Sequence, residues 1–167
     1  MSSRKEVIIA AIAVLLTASA LFYMSPQQID QNLSKEKLQC VSRQTILDRG
    51  QDWVNKNIPY DKTYDGYRTD CSGFVSMAWG LPRPGHTTES LGGVSTTISK
   101  AQLQGGDALL CPGTHVTLFV SWADGGKTSY TMMEEGNSKD GCVKKVAPYP
   151  FYDHQDCYRP VKYNDAC

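Results

Sequence analysis

The chain has no surplus of charge of either sign, with 17 Lys and Arg against 17 Asp and Glu. A neutral balance leaves no basic footprint for nucleic acid or an anionic membrane surface, and neither is expected as a partner. Histidine is scarce, three in 167 residues, so few side chains can exchange protons near neutral pH. Phenylalanine is scarce as well, four against nine tyrosines. Many of those tyrosines (Tyr60, Tyr64, Tyr67, Tyr149, Tyr152, Tyr158, Tyr163) sit near Gly or Pro, a distribution that suits a polar-lined groove between loops. No internal repeat and no low-complexity stretch is present, which excludes repeat architectures. What remains is enough chain for one domain with a sizeable core.

The N-terminus carries a targeting signal. Arg4 and Lys5 precede an apolar run from Val7 to about Leu16 that continues more weakly to Met24, and Ala18-Ser19-Ala20 supplies a small-x-small cleavage pattern. The run lies at the lower edge of the ~17–25 residues that span a bilayer. Residues 1–24 are therefore expected to be a secretory signal or, second, an uncleaved membrane anchor. Residues 25–37 are polar and read as a linker, leaving 38–167 as the domain. Either way the domain lies outside the cytoplasm, touching a membrane only through residues 7–24 if these are retained. The six cysteines, Cys40, Cys71, Cys111, Cys142, Cys157 and Cys167, suit an oxidising compartment. If Cys71 stays free, at most two bridges form and one further thiol is left over.

Along the domain, the pattern from about Leu38 to Asn57 is helical, stopped by Pro59. A second helix is expected at Asp70-Cys71-Ser72-Gly73-Phe74-Val75, with Asp70 as N-cap and Gly80 ending it. The segment 86–104 reads as a long loop with at most one short helical turn, one wall of a groove. Strands follow at Ala108–Cys111, His115–Trp122, Thr128–Glu135, Cys142–Val146 and Tyr158–Tyr163. In His115–Trp122, Val116, Leu118, Val120 and Trp122 form one face and His115, Thr117, Phe119 and Ser121 the other. Helices first and an antiparallel meander after them make an α+β domain.

The chemistry centres on Cys71. A helix start offers unpaired N–H groups and partial positive charge, which favour a thiolate. Gly73 removes a side chain where a substrate can approach, and Asp70, Ser72 and Gly73 are read as substrate-binding. A nucleophilic cysteine needs a base and a group to orient that base. His86 lies in a loop and His154 in a Pro- and Tyr-rich connection, whereas His115 opens a strand, a rigid place from which to aim an imidazole. The orienting group is Glu134 or Glu135, depending on strand register, since a one-residue slip flips the face. A five-residue connection from Ala123 to Lys127 would place Glu135 opposite His115; a four-residue loop would place Glu134 there. Asn137 could assist from beyond the strand. Tyr60 is the candidate donor to a developing oxyanion. A rival constellation, Cys111-x-x-x-His115 with His154-x-x-Cys157, has ligand types that zinc accepts, but loose spacings and an exported address favour oxidation. No metal and no cofactor is expected.

Asp70-Cys71-Ser72-Gly73-Phe74-Val75, followed by Gly106-Asp107 and by His115-Val116 opening an alternating strand, resembles the NlpC/P60 superfamily of papain-like cysteine peptidases that act on bacterial cell walls. The similarity runs from about Ile46 to Tyr163. It implies a nucleophile helix packed on an antiparallel sheet, attack by Cys71 on an amide carbonyl, His115 as base and Tyr60 near the oxyanion. The family's third residue is a polar group, often histidine, on the strand after the histidine strand. Here Met133-Glu134-Glu135 occupies that region, so the role passes to Glu134, with Glu135 as the fallback. The implied substrate is a peptidoglycan stem peptide, cut between D-glutamate and a diamino acid, and a monomer is expected. The alternatives are a domain that binds wall fragments without cleaving them, and an acyltransferase or thioesterase built on the same Cys–His pair.

Overall fold

The computed structural model describes residues 25–27, 40–151 and 156–167. The chain divides into two units, Met1–Gln39 and Cys40–Cys167. The expected signal or anchor, most of the linker, and His154 lie outside the described residues. The second unit carries the fold.

Its first helix, α1 (Arg43–Lys56), starts later than the hydrophobic pattern suggests. Cys40 is bridged to Cys167 and Val41 pairs with Ala166, so the chain stays extended until Ser42 caps the helix by accepting from the Thr45 amide. It ends when Asn57 turns left-handed at φ 48°, two residues before Pro59. Ile46, Gly50 and Trp53 form the buried stripe. A hairpin follows, β1 (Thr63–Tyr64) and β2 (Tyr67–Arg68). Its turn residues Asp65 and Gly66 both have positive φ, as a tight two-residue hairpin turn requires.

Helix α2 (Cys71–Trp79) begins at Asp70 and ends on left-handed Gly80. Every residue from Ser72 to Trp79 is buried. A helix buried nearly all round belongs inside a fold, and this one packs against both α1 and the sheet.

The sheet has six antiparallel strands in the order β3-β8-β4-β5-β6-β7: β3 (Ser95–Thr97), β4 (Ala108–Cys111), β5 (His115–Trp122), β6 (Ser129–Glu135), β7 (Cys142–Pro148) and β8 (Arg159–Tyr163). Strand β3 and the 3-10 turns Ser90–Val94 and Lys100–Gln102 lie within the expected long loop. Strand β3 has no apolar alternation to announce it and exists through backbone pairing with β8. Both sheet faces are covered. Val116, Leu118 and Met133 pack against Phe74, Trp53 and Ile46 on the helix side. Leu109, Phe119, Tyr130, Met132 and Tyr158 form a second core on the other. Fold class is α+β.

One irregularity decides the site. Trp122 pairs with Tyr130, a register that would set Glu135 on the His115 face, but the pairing shifts between Phe119 and Ser121 and continues as Phe119↔Met132 and Leu118↔Met133. The extra residue, Val120, flips the alternation. His115, Thr117 and Phe119 consequently share a face with Met132 and Glu134, while Glu135 goes to the helix side. The expectation from a five-residue connection is corrected by this bulge. So is the expected face of Trp122, whose ring lies 5.1 Å from that of Phe119.

Candidate active site

The site is assembled where the start of α2 meets the ends of β5 and β6. Asp70 Oδ1 accepts from the Gly73 amide at 2.7 Å and from Ser72 Oγ at 2.8 Å, and Arg68 Nε donates to Asp70 Oδ2 at 2.8 Å. Burial alone would raise the Asp70 pKa, but the Gly73 amide, the Arg68 guanidinium and the Ser72 hydroxyl outweigh it and hold the carboxyl below its usual range. Arg68 also donates to the carbonyls of Gly85 and His86, tying the loop after α2 to the helix start. A Cβ on Gly73 would overlap the Arg68 carbonyl oxygen. Asp70, Ser72 and Gly73, read from sequence as substrate-binding, have internal contacts that build the turn presenting Cys71.

Cys71 is one of two free cysteines among the described residues. The others are joined as Cys40–Cys167 and Cys111–Cys157. The second bridge takes both thiols of the rival zinc constellation. It also anchors β4 at Cys111, the residue directly opposite His115.

His115 Nε2 lies 2.6 Å from Glu134 Oε2, and the ring stands close enough to Cys71 for that group to raise its pKa. With Nε2 given to the carboxylate, Nδ1 is the ring nitrogen left for the thiol. The ring of Phe151 leans on the imidazole at 5.2 Å. Burial works to lower the His115 pKa, but the neighbouring Cys71 and Glu134 prevail and raise it from 6.5 to about 9.

Glu134 is 3% exposed and divides its oxygens, Oε2 to His115 and Oε1 to Lys145 Nζ at 2.8 Å. Burial opposes its ionisation; the two cationic partners overcome that and lower its pKa. Glu135 is fully buried on the other face, opposite Cys142. Neither of its oxygens has a nitrogen or oxygen donor, and the Cys142 thiol offers only a weak one. Burial, reinforced by the charges of Asp70 and Glu134, pushes the Glu135 pKa to about 7. Burial beside Glu135 likewise drives the Cys142 thiol pKa upward. Tyr60 stands close enough to Cys71 and Asp70 that, after burial, their charges raise its phenol pKa.

Asn137 serves the β6–β7 turn: it accepts from the Lys139 and Asp140 amides and donates to the Asp140 carboxylate. It also lines, with His115, Glu134, Lys145, Phe151 and Tyr158, a hollow of about 320 Å³ beside the imidazole. A larger hollow of about 700 Å³ between the helices and the β1–β2 hairpin contains none of the candidate catalytic residues; its Asp52–Lys56 and Asp65–Arg83 charges are paired. Lys145, Arg68 and Phe151 escaped the sequence reading, because a single lysine in a strand, an arginine before a cap and an aromatic in a loop carry no motif.

No family sequence model matches the chain, and no curated protein matches it. Solved structures do. An NlpC/P60 family protein from Bacillus cereus matches with a TM-score of 0.53 at 16% identity, over 75% of this chain and 41% of that one. The P60 domain of an antigen from Mycobacterium avium subspecies paratuberculosis gives 0.50 at 13% identity, over 70% of this chain and 91% of that one. The peptidoglycan hydrolase RipB from Mycobacterium tuberculosis gives 0.49 at 18% identity, covering 72% of this chain and 65% of RipB. This chain thus spans two-fifths of the Bacillus protein's length and most of the P60 domain's. Its fold is NlpC/P60-like.

Proposed function

We propose that this protein is an exported cysteine peptidase that hydrolyses an amide bond in peptidoglycan stem peptides, the D-glutamyl–diamino acid linkage being the expected bond. The observation that carries the proposal is a free cysteine at a helix start, near an imidazole that a buried carboxylate holds at 2.6 Å. The NlpC/P60-like fold supports the substrate class. The two disulfides support a location outside the cytoplasm.

In this reading His115 takes the Cys71 proton, and Glu134 fixes the ring and stabilises the imidazolium. The thiolate adds to the amide carbonyl, with the Tyr60 hydroxyl as donor to the oxyanion. His115 then returns its proton to the leaving amine, giving a thioester on Cys71. A water deprotonated by His115 releases the acid and restores the thiol. The raised His115 pKa, about 9, suits the ring to accept the thiol proton.

The test is digestion of purified sacculi, with mass spectrometry of the soluble fragments. Wild type is expected to release fragments bearing new amino termini. Cys71→Ser should fold normally and release none. Activity retained in that variant, or binding to sacculi without cleavage by wild type, would overturn the proposal.

A further inference from the structure

The site contains a charge that an imidazole in the third position would not bring. Glu134 places a full carboxylate, 3% exposed, inside the protein, and a buried charge must be paired or it takes up a proton. Its neighbour in sequence shows the consequence: Glu135, buried and without a cationic partner, is held largely protonated below neutral pH. What separates the two is what each faces. On β7, Val143 is directly opposite Glu134 and Lys145 opposite Met132, so Lys145 is the diagonal neighbour of Glu134 on the same face. Its ammonium reaches Oε1 at 2.8 Å while Oε2 stays with His115 at 2.6 Å. With 37% of its side chain exposed, Lys145 keeps part of its hydration and pairs at little desolvation cost.

We propose, resting on the hydrolase reading for its consequence, that Lys145 is a positioning residue of the site: it keeps Glu134 ionised and leaves one defined oxygen for His115. The other groups around Glu134 do not substitute for it. From β5 comes His115, whose charge belongs to the exchange with Cys71 of α2. Tyr158, before β8, is a phenol held neutral by burial and by the Glu134 charge. Across β6 lie Glu135 and Cys142, which add no positive charge. Lys145 is thus the fixed cation of the cluster.

The test is NMR titration of the full chain, following the Glu134 carboxyl carbon, assigned by its loss in Glu134→Gln, and the His115 ring nitrogens. In wild type the carboxyl is expected to stay ionised to below the ordinary glutamate range. In Lys145→Met its midpoint should rise by on the order of one pH unit, and the acid limb of Cys71 alkylation should move up with it. Lys145→Arg should restore both. Identical Glu134 midpoints in wild type and Lys145→Met would overturn the proposal. Sacculus cleavage by the same proteins separates the two claims. A shifted midpoint in a protein that never cleaves peptidoglycan sinks the hydrolase reading and leaves the role of Lys145 standing; cleavage with an unmoved midpoint does the reverse.

Discussion

Two consecutive glutamates, both buried, meet opposite fates because strand alternation sends them to opposite faces. Glu134 enters a site with two cationic partners; Glu135 enters a region with a thiol and two carboxylates. The cost of Glu135 has a definite pH window. Its carboxyl ionises near the ordinary 4.5 in the unfolded chain and near 7 in the folded one, so the folded state holds the extra proton between those values. Stability therefore falls as pH rises from 4.5 through 7, by about 3 kcal/mol in all. Replacing Glu135 with glutamine removes that slope: relative to wild type, Glu135→Gln should gain about 3 kcal/mol between pH 4.5 and pH 8. Urea unfolding at the two pH values reads this, and parallel pH profiles would refute it. His115 behaves differently. Its folded pKa is raised, so its contribution is full below 6.5 and is lost as pH climbs through about 9. Which glutamate joins His115 was not legible in the sequence, where Tyr130 to Glu135 fits either face equally well. The answer lies in the bulge at Val120, which arises from how the two strands pack and leaves no mark in composition.

Helix α2 was the most legible element, since its cap, its close-approach glycine and its left-handed stop are all written in residue type. Asp70 satisfies the Gly73 amide, and Gly80 takes φ 78°. Gly73 is constrained by contact: its backbone passes so near the Arg68 carbonyl that a methyl group cannot enter without moving β2 or the helix. Gly73→Ala is expected to cost about 2 kcal/mol or more and to slow cleavage by displacing Cys71. A denaturation midpoint and sacculus cleavage both equal to wild type would show that the helix start yields more easily than this geometry allows. Strand β3 was illegible for the opposite reason. Its Ser-Thr-Thr sequence has no buried face and is recruited by the edge of β8. Element ends were blurred wherever a tertiary tie overrode a pattern, as at Cys40, where the bridge to Cys167 holds the chain extended past the start of the apolar periodicity.

At the scale of the whole chain, the order of elements was readable because helical and strand periodicities occupy separate halves of the domain. The cysteine pairing was not, since five partners for two bridges can be joined in many ways. The pairs found are placed with consequence. Cys40–Cys167 spans 127 residues and closes the domain on itself, which a chain-entropy account values at about 5 kcal/mol. Cys111–Cys157 ties the chain just before β8 to the strand position opposite His115. The four bridged sulfurs are out of reach of an electrophile, and of the two free thiols Cys142 is buried while Cys71 is the one beside an imidazole. A cysteine-by-cysteine map of the intact, unreduced protein therefore addresses the central claim directly: iodoacetamide at neutral pH, sampled over time and read by mass spectrometry. The expected result is rapid labelling of Cys71 only, slowed by about tenfold or more in His115→Ala, with Cys142 reacting after unfolding and the other four after reduction. A Cys71 that is bridged, that reacts no faster than Cys142, or that ignores the loss of His115 would contradict it.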